Sequence, residues 1–329
     1  MNLAVLVNPL GEINKGKESD RFADEEVYHT AETIKRSIIN SGHKSEIVYF
    51  GPEKLPYLAN FDAIFNLAET NIGSAFTDYK ITELLEKNKI LFTGNGSYSL
   101  KNCNDKALTK KILVKNNIPT PRFAVFNDAK KIKLSFGFPV IAKPANEDAS
   151  VGISFDSFLK NKKALSTKVK ELLALYKQPV LVEEYIDGRE VDVSIVGDGQ
   201  IAKVLGISEL VYNFPPDVPR IQCFEVKWDK NSRFYKTCNV DSPAKLTGSL
   251  SKKIEEISLK AYKLLKCKGY SRIDIRIRDN IPYILEINPN PCLGNMDNTF
   301  INAANSKGMD YDNLINSLVM MAVINKKKK

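Results

Sequence analysis

Histidine is almost missing from this chain, with His29 and His43 the only two and both early. A nucleophile–histidine triad needs an imidazole and catalytic zinc usually takes several, so two early histidines argue against either chemistry. The five cysteines (Cys103, Cys223, Cys238, Cys267 and Cys292) form no CxxC pair and have no histidine at metal-ligand spacing. They read as free thiols in a reducing compartment. No apolar run reaches the roughly 18–20 residues of a membrane span, which leaves no membrane role. The opening MNLAVLVNPL has neither a basic region nor a cleavage site, and reads as a buried first strand rather than a signal peptide. A cytoplasmic location is the expectation. Basic residues interleaved with aromatics are absent, so the net charge of +9 does not point to nucleic acid. Part of that charge sits in Lys326 to Lys329, which read as a solvated tail, and a positive field would also suit an anionic nucleotide.

What is present is a chain of 329 residues, 43% hydrophobic and 26% charged, long enough for two or three packed domains. Apolar runs at residues 3–8 and 45–50 flank an amphipathic stretch around 24–41 that ends at Gly42. With residues 61–66, a helix near 77–87 and residues 90–93, they predict an open α/β layer of parallel strands. Gly94-Asn-Gly96 breaks the pattern as a boundary would. A small α+β unit follows: a helix over 104–117, strands at 123–126, 139–143 and 179–183, and a helix over 161–175. Beyond residue 188 come strands at 191–196 and 201–206, then an irregular stretch, 211–246, carrying Pro215, Pro216, Pro219 and Pro243. A stretch of that length inside an enzyme is usually a lid or a binding loop. A helix over 248–266, strands at 271–278 and 282–288, and a final helix over 309–323 complete the order. The expected units are an N-terminal α/β domain (1–98), a central domain (99–187) and a C-terminal domain (188–329).

Three segments carry chemistry. The first, Pro139-Val-Ile-Ala-Lys-Pro-Ala-Asn-Glu-Asp-Ala-Ser-Val-Gly-Ile153, puts Lys143 at the end of a buried strand before a turn of small residues. A cation on a rigid element beside a loop of backbone N–H groups is what phosphate binding needs. Lys143 taken alone reads better as an ordinary snorkelling lysine. In the second, Pro179-Val-Leu-Val-Glu-Glu-Tyr-Ile-Asp-Gly-Arg-Glu190, a buried strand delivers Glu183 and the chain crosses between domains before Glu190. Such a crossing suits adenine and ribose recognition, although these acids also fit as solvated strand ends.

The third runs from Ser271 through Arg272, Asp274 and Glu286 to Asn288 and Pro291, and predicts a β-hairpin. If Asp279, Asn280 and Ile281 form a three-residue loop, Asp274 faces Glu286 and Arg272 faces Asn288, all four on one side of the pleat. Two carboxylates and an amide oxygen around one point suit a hard cation such as Mg2+ with nucleotide phosphates. A two-residue turn would shift the register by one and separate the acids. A solvent-facing hairpin of alternating charges remains the plainer alternative, although it leaves Glu286-Ile-Asn-Pro-Asn-Pro291 without a reason.

In this order and at these intervals the three segments resemble the ATP-grasp enzymes, and within them the D-alanine–D-alanine ligase-like group. The resemblance covers about residues 90–300, and Phe92-Thr-Gly94, Asn104-Asp-Lys106 and Phe224-Glu-Val-Lys-Trp228 support it. It implies an ATP-grasp fold, α/β (α+β) in class, with ATP between the central and C-terminal domains. By resemblance, Lys106 and Lys143 hold ATP phosphates and Ser150 belongs to the loop covering them. Glu183 with the backbone of Tyr185 and Ile186 meets adenine, Glu190 the ribose, and Lys227 is the lid lysine that reaches the terminal phosphate. Asp274, Glu286 and Asn288 match magnesium ligands, two ions in number with Mn2+ an admissible substitute, and Arg272 matches the arginine that steadies the tetrahedral intermediate.

The implied reaction joins a carboxylate to an amine through an acyl phosphate, releasing ADP and phosphate. Small-molecule amino acids are the implied partners, and a homodimer is compatible with the group. Two segments depart from its D-alanine–D-alanine ligases. Asn8-Pro-Leu-Gly-Glu-Ile-Asn14 lacks the glycine-rich Ser/Glu signature, and Pro289-Asn-Pro-Cys-Leu-Gly-Asn295 lacks the Thr/Ser-Pro-Gly and Ser-Leu elements. Ala149 also stands where a serine is usual. A ligase for other amino acids is therefore the first expectation, with D-alanyl-D-alanine synthesis and a non-catalytic ATP-binding module as alternatives.

Overall fold

The computed structural model of the protein describes residues 1–69, 77–130, 132–294 and 298–324, so the lysine tail at 326–329 lies outside the described residues. The chain opens with β1 (Asn2–Val7), α1 (Arg21–Asn40), β2 (Lys44–Tyr49), α2 (Leu55–Leu58) and β3 (Ala63–Leu67). These strands form a parallel sheet in the order β2-β1-β3. β1 and β3 are buried on both faces because helices cover both. The run at 90–93 adds only a single bridge, Phe92 to Ile64, rather than a fourth strand. α3 (Asp78–Lys87) packs below, and α4 (Ser97–Asn104) and α5 (Lys106–Lys115) follow as two helices where one was expected. Asp105 divides them and caps α5, its side chain accepting from the Leu108 amide at 2.8 Å.

The second sheet contains β4 (Phe123–Phe126), β5 (Val140–Pro144), β6 (Phe158–Leu159) and β7 (Val180–Glu184), in the order β4-β7-β5-β6, with α6 (Lys162–Tyr176) against it. The third contains β8 (Arg189–Val196), β9 (Lys203–Tyr212), β10 (Cys238–Asp241), β11 (Tyr270–Arg278) and β12 (Ile281–Pro289), ordered β10-β9-β8-β11-β12 and antiparallel throughout. α8 (Gly248–Leu264) packs on one face, and α9 (Thr299–Asn305) and α10 (Tyr311–Ile324) return to the first sheet. The stretch 211–246 contains β10 and the short helix α7 (Phe224–Lys227).

The cores run across the expected segment limits. Leu113 and Ile118 pack with Val193, Ile254 and Ile273, whereas Phe300 and Leu318 pack with Leu3 and Val5. Each fully buried aliphatic side chain contributes about 1.5–3 kcal/mol, so these shared cores tie the layers together. The segment after β1 also crosses over. Gly16 N–H donates to Leu175 O at 2.8 Å, and Lys177 Nζ donates to Asn14 O at 3.0 Å.

Two glycine sites make the joints possible. A Cβ on Gly188, whose φ is +155°, would lie 1.9 Å from Ile277 O, so only glycine lets the chain pass from β7 to β8. A Cβ on Gly269 would meet Gly94 Cα at 2.8 Å. Asn95 is fully buried beside that contact and donates to Tyr270 O at 2.7 Å, which makes the break at 94–96 a tight joint rather than a free linker.

Candidate functional site

A cavity of about 1820 Å3 lies between the second and third sheets and reaches α1 and α9. All twelve of the residues expected from the sequence line it: Lys106, Lys143, Ser150, Glu183, Tyr185, Ile186, Glu190, Lys227, Arg272, Asp274, Glu286 and Asn288.

The hairpin reaches its expected pairing by an unexpected route. Ile281 pairs with Arg278, so the turn has two residues, Asp279 and Asn280, both left-handed at φ 52° and 58°. That is the turn expected to separate the acids. A bulge restores the parity: Ile275 pairs with Ile284 but Asp274 pairs with Glu286, leaving Leu285 as the extra residue. Arg272 therefore faces Asn288 after all. Arg272 Nε and Nη2 donate to Asp274 Oδ1 and Oδ2 at 2.7 and 3.0 Å, and Asn288 Nδ2 donates to Asp274 Oδ2 at 2.9 Å. Among the described residues, no group of three or more histidine, cysteine, aspartate or glutamate side chains is arranged to hold a metal ion. The hairpin set instead combines two carboxylates with an amide.

Opposite this face is a buried lysine–glutamate cluster. Lys106, the first residue of α5, donates to Asp148 Oδ1 at 2.6 Å and lies 3.3 Å from Glu286 Oε2. Lys143, near the end of β5, lies 2.7 Å from Glu183 Oε2 and 3.7 Å from Glu286 Oε2. Lys110 was not anticipated; one turn beyond Lys106 on α5, fully buried, it pairs with Glu183 and donates to Thr120 Oγ1 at 2.8 Å. The spacing of four along a helix was the available signal.

Burial alone would lower the pKa of Lys106 and Lys143, but neighbouring carboxylates hold both above the ordinary lysine value. Burial prevails at Lys110, because Glu183 is shared and Lys143 repels it, so its pKa falls. Burial would raise Glu183, yet two ammonium groups hold its carboxyl below the ordinary range. Glu286 is also held low against burial, by Lys106, Lys143 and Arg272. The Glu183 carboxylate, which lines the cavity, is thus engaged by two lysines, Lys110 and Lys143.

At the crossing, Tyr185 N–H donates to Pro139 O at 3.1 Å, while the Ile186 amide has no hydrogen-bond partner among the described residues. Glu190 Oε2 accepts from Tyr212 OH at 2.6 Å and pairs with Arg276, its cross-strand neighbour. Arg276 continues the alternation of Arg272 and Asp274, a signal the sequence reading passed over. Its guanidinium lies 5.6 and 5.7 Å from the Tyr185 and Tyr212 ring centres.

Several residues of the stretch 211–246, among them Gln222, Lys227 and Trp228, line the cavity. Lys227 ends α7, half-buried, where burial and the Arg272 charge lower its pKa. Ser150 Oγ donates to Gln222 O at 2.8 Å, and Trp228 Nε1 donates to Ala149 O at 2.9 Å. Ala149 and Ser150 are both left-handed, at φ 54° and 65°. Phe155, Phe214 and Phe234 stack edge-on beneath, with ring centres 4.8–6.0 Å apart.

Asp192 is a further residue that sequence reasoning missed. It pairs across strands with Asp274 and is 3% exposed. Burial and the neighbouring Asp274 push its carboxyl up to about 8. Its place two residues beyond Glu190 on a buried strand was the signal.

Known proteins are similar to this chain in sequence and fold. A family model described as the D-ala D-ala ligase C-terminus matches residues 112–320. The D-alanine–D-alanine ligase of Clostridium perfringens (strain SM101 / Type A) is 32% identical over 252 residues, 75% of this chain and 77% of that protein. The D-alanine–D-alanine ligase of Carboxydothermus hydrogenoformans is 29% identical over 342 residues, 97% and 99% of the two chains. A D-alanine–D-alanine ligase from Bacillus anthracis, solved with ATP, superposes with a TM-score of 0.77 at 20% identity, covering 100% of this chain and 99% of that one. That likeness identifies the fold as ATP-grasp. The chain belongs to the D-alanine–D-alanine ligase family of ADP-forming carboxylate–amine ligases.

Proposed function

We propose that the cavity joins two amino acids, with the hairpin face and the lysine cluster acting on opposite sides of the reacting atoms. The supporting observation is the convergence of Arg272, Asp274, Glu286 and Asn288 with Lys106 and Lys143 in one cavity. In this reading ATP lies with its base at Tyr185–Ile186, its ribose at Glu190 and its phosphates at Lys106, Lys143 and Lys227. The substrate carboxylate attacks the γ-phosphorus, forming an acyl phosphate and ADP. The amine then attacks the acyl carbon, Arg272 faces the oxyanion, and phosphate leaves. No protein nucleophile is required. The cover at 149–150 and 221–228 keeps water from the acyl phosphate.

Asp274, Glu286 and Asn288 offer carboxylate and amide oxygens, the donors a hard cation takes. Asn288 donates to Asp274 through Nδ2, which leaves its carbonyl oxygen as a donor atom for a metal. Mg2+ bound there would supply charge neutralisation at the phosphates, and Mn2+ suits the same set. The relatives are named for D-alanine, but Pro289-Asn-Pro-Cys292 and Asn8-Pro-Leu-Gly11 favour different amino acids here. Among the described residues no helix is long and apolar enough to cross a membrane, and the five free thiols suit a cytoplasmic setting. ADP release with Mg2+, ATP and a panel of L- and D-amino acids, with condensed products read by mass spectrometry, tests the reading. Amino-acid-dependent ADP and a condensed product are expected; release of ADP by no member of the panel would overturn it.

A further inference from the structure

Asp192 is buried beside the proposed reacting centre with one oxygen unused. Its Oδ2 accepts from Thr299 Oγ1 at 2.7 Å and lies 3.3 Å from Arg272 Nε. Its Oδ1 is buried and has no hydrogen-bond partner among the described residues. Arg272 does not complete it, because Nε and Nη2 both donate to Asp274. Two carboxylates thus share one guanidinium. Thr299, held by its helix, fixes the orientation of the carboxylate, and Asp192, Thr299 and Arg272 all line the cavity. A buried carboxylate oxygen without a donor is costly, and a fold retains one most readily where a ligand supplies the missing donor. Arg272 and, at longer range, Lys227 lend positive charge here, but neither donates to Oδ1, and an ammonium group carries the N–H donors that would.

We propose that Asp192 receives the ammonium group of the amine substrate and selects a cationic acceptor for this enzyme. The inference rests on the ligase reading above, in which Arg272 faces the acyl oxygen. The nitrogen must then approach the carbon beside Arg272, where Asp192 stands; it attacks once it has given up a proton, and both protons it loses leave with the released phosphate. Asp192 is a substrate-binding residue here. Were it only a support for Arg272, its removal would slow attack by every nucleophile alike.

The experiment compares two nucleophiles on the same acyl phosphate. Hydroxylamine is uncharged at neutral pH and gives a coloured hydroxamate, whereas an amino acid arrives as an ammonium ion. The wild-type protein is assayed with Mg2+, ATP and the L- and D-amino-acid panel, with and without hydroxylamine, and Asp192→Asn is compared under the same conditions. Asparagine keeps the shape and an acceptor for Thr299. The expected result is a loss of amide formation at limiting amine at least about tenfold greater than any loss of hydroxamate formation. The KM for the amine should rise at least about tenfold. An equal loss with both nucleophiles, repeated in Asp192→Glu with nucleotide binding intact, would overturn the proposal and make Asp192 a positioning residue for Arg272. Wild-type protein that forms neither hydroxamate nor condensed product would overturn the ligase reading itself, and the proposal with it.

Discussion

Behind the cavity, Lys106, Lys110 and Lys143 are buried on α5 and β5 and interlocked with Glu183 and Glu286. Across from them, residues 221–228 rest on an aromatic cluster and on single hydrogen bonds to residues 149–155, among them Ser150 to Gln222, Trp228 to Ala149, the Phe224 amide to Ile153 O and the Phe155 amide to Glu225. The first region is fixed by strand register and by charges that cannot lose a partner cheaply. The second is held by contacts worth about 0.5–1.5 kcal/mol each, which binding energy can break and remake. A ligase needs both: a rigid phosphate seat, and a cover that opens for substrates and closes over a hydrolysable intermediate.

The largest expected effect is at Glu183. Glu183→Gln leaves Lys110 and Lys143 buried without their carboxylate, and should destabilise the fold by about 3–5 kcal/mol, read from urea midpoints. The pH dependence has a definite sign. Because the folded-state pKa of Glu183 lies below the ordinary glutamate value of 4.5, its stabilisation is complete above 4.5 and is lost as the pH falls below it. The gap between wild type and Glu183→Gln should therefore narrow in acid. An unchanged gap would mean that the cluster is not held by these charges.

Next in size is Lys143→Ala, which should slow amino-acid-dependent ADP release by about 100-fold or more. The exposed Lys163→Ala on α6 should change it by less than about twofold. Similar effects at the two lysines would remove the phosphate role from the rigid region.

The smallest effects belong to the cover. Trp228→Phe loses one hydrogen bond, at a stability cost of about 0.5–1.5 kcal/mol, but should raise ATP hydrolysis uncoupled from amide formation. In the wild type, Mg2+ with a non-hydrolysable ATP analogue should change the fluorescence of Trp228, the only tryptophan, and protect residues 211–246 from proteolysis. If the analogue binds and neither signal moves, the contrast between a rigid seat and a movable cover fails.

How much of this was legible beforehand follows from how local each feature is. β4, at residues 123–126, was readable because alternation acts over a few residues, and so was the hairpin, although the pairing of Asp274 with Glu286 rested on a three-residue turn that the chain does not form. The route to that pairing was not, since the bulge at Leu285 answers to packing around the strand rather than to the residues of the turn. Glu183 was visible, but its partner Lys110 comes from another element, and only the fold brings them together. Asp192 was hidden in a buried strand whose two acids, Glu190 and Asp192, read alike without their partners. α9, Thr299–Asn305, was missed because a helix so short leaves almost no periodicity.

The central claim is that a carboxylate is activated by phosphorylation in this cavity. Its most direct test is oxygen transfer: supply the amino-acid substrate with oxygen-18 in its carboxylate and analyse the phosphate released with the condensed product. The account predicts one labelled oxygen in each inorganic phosphate, carried over when the acyl phosphate breaks. Label appearing in AMP, or phosphate free of label while product accumulates, would contradict it.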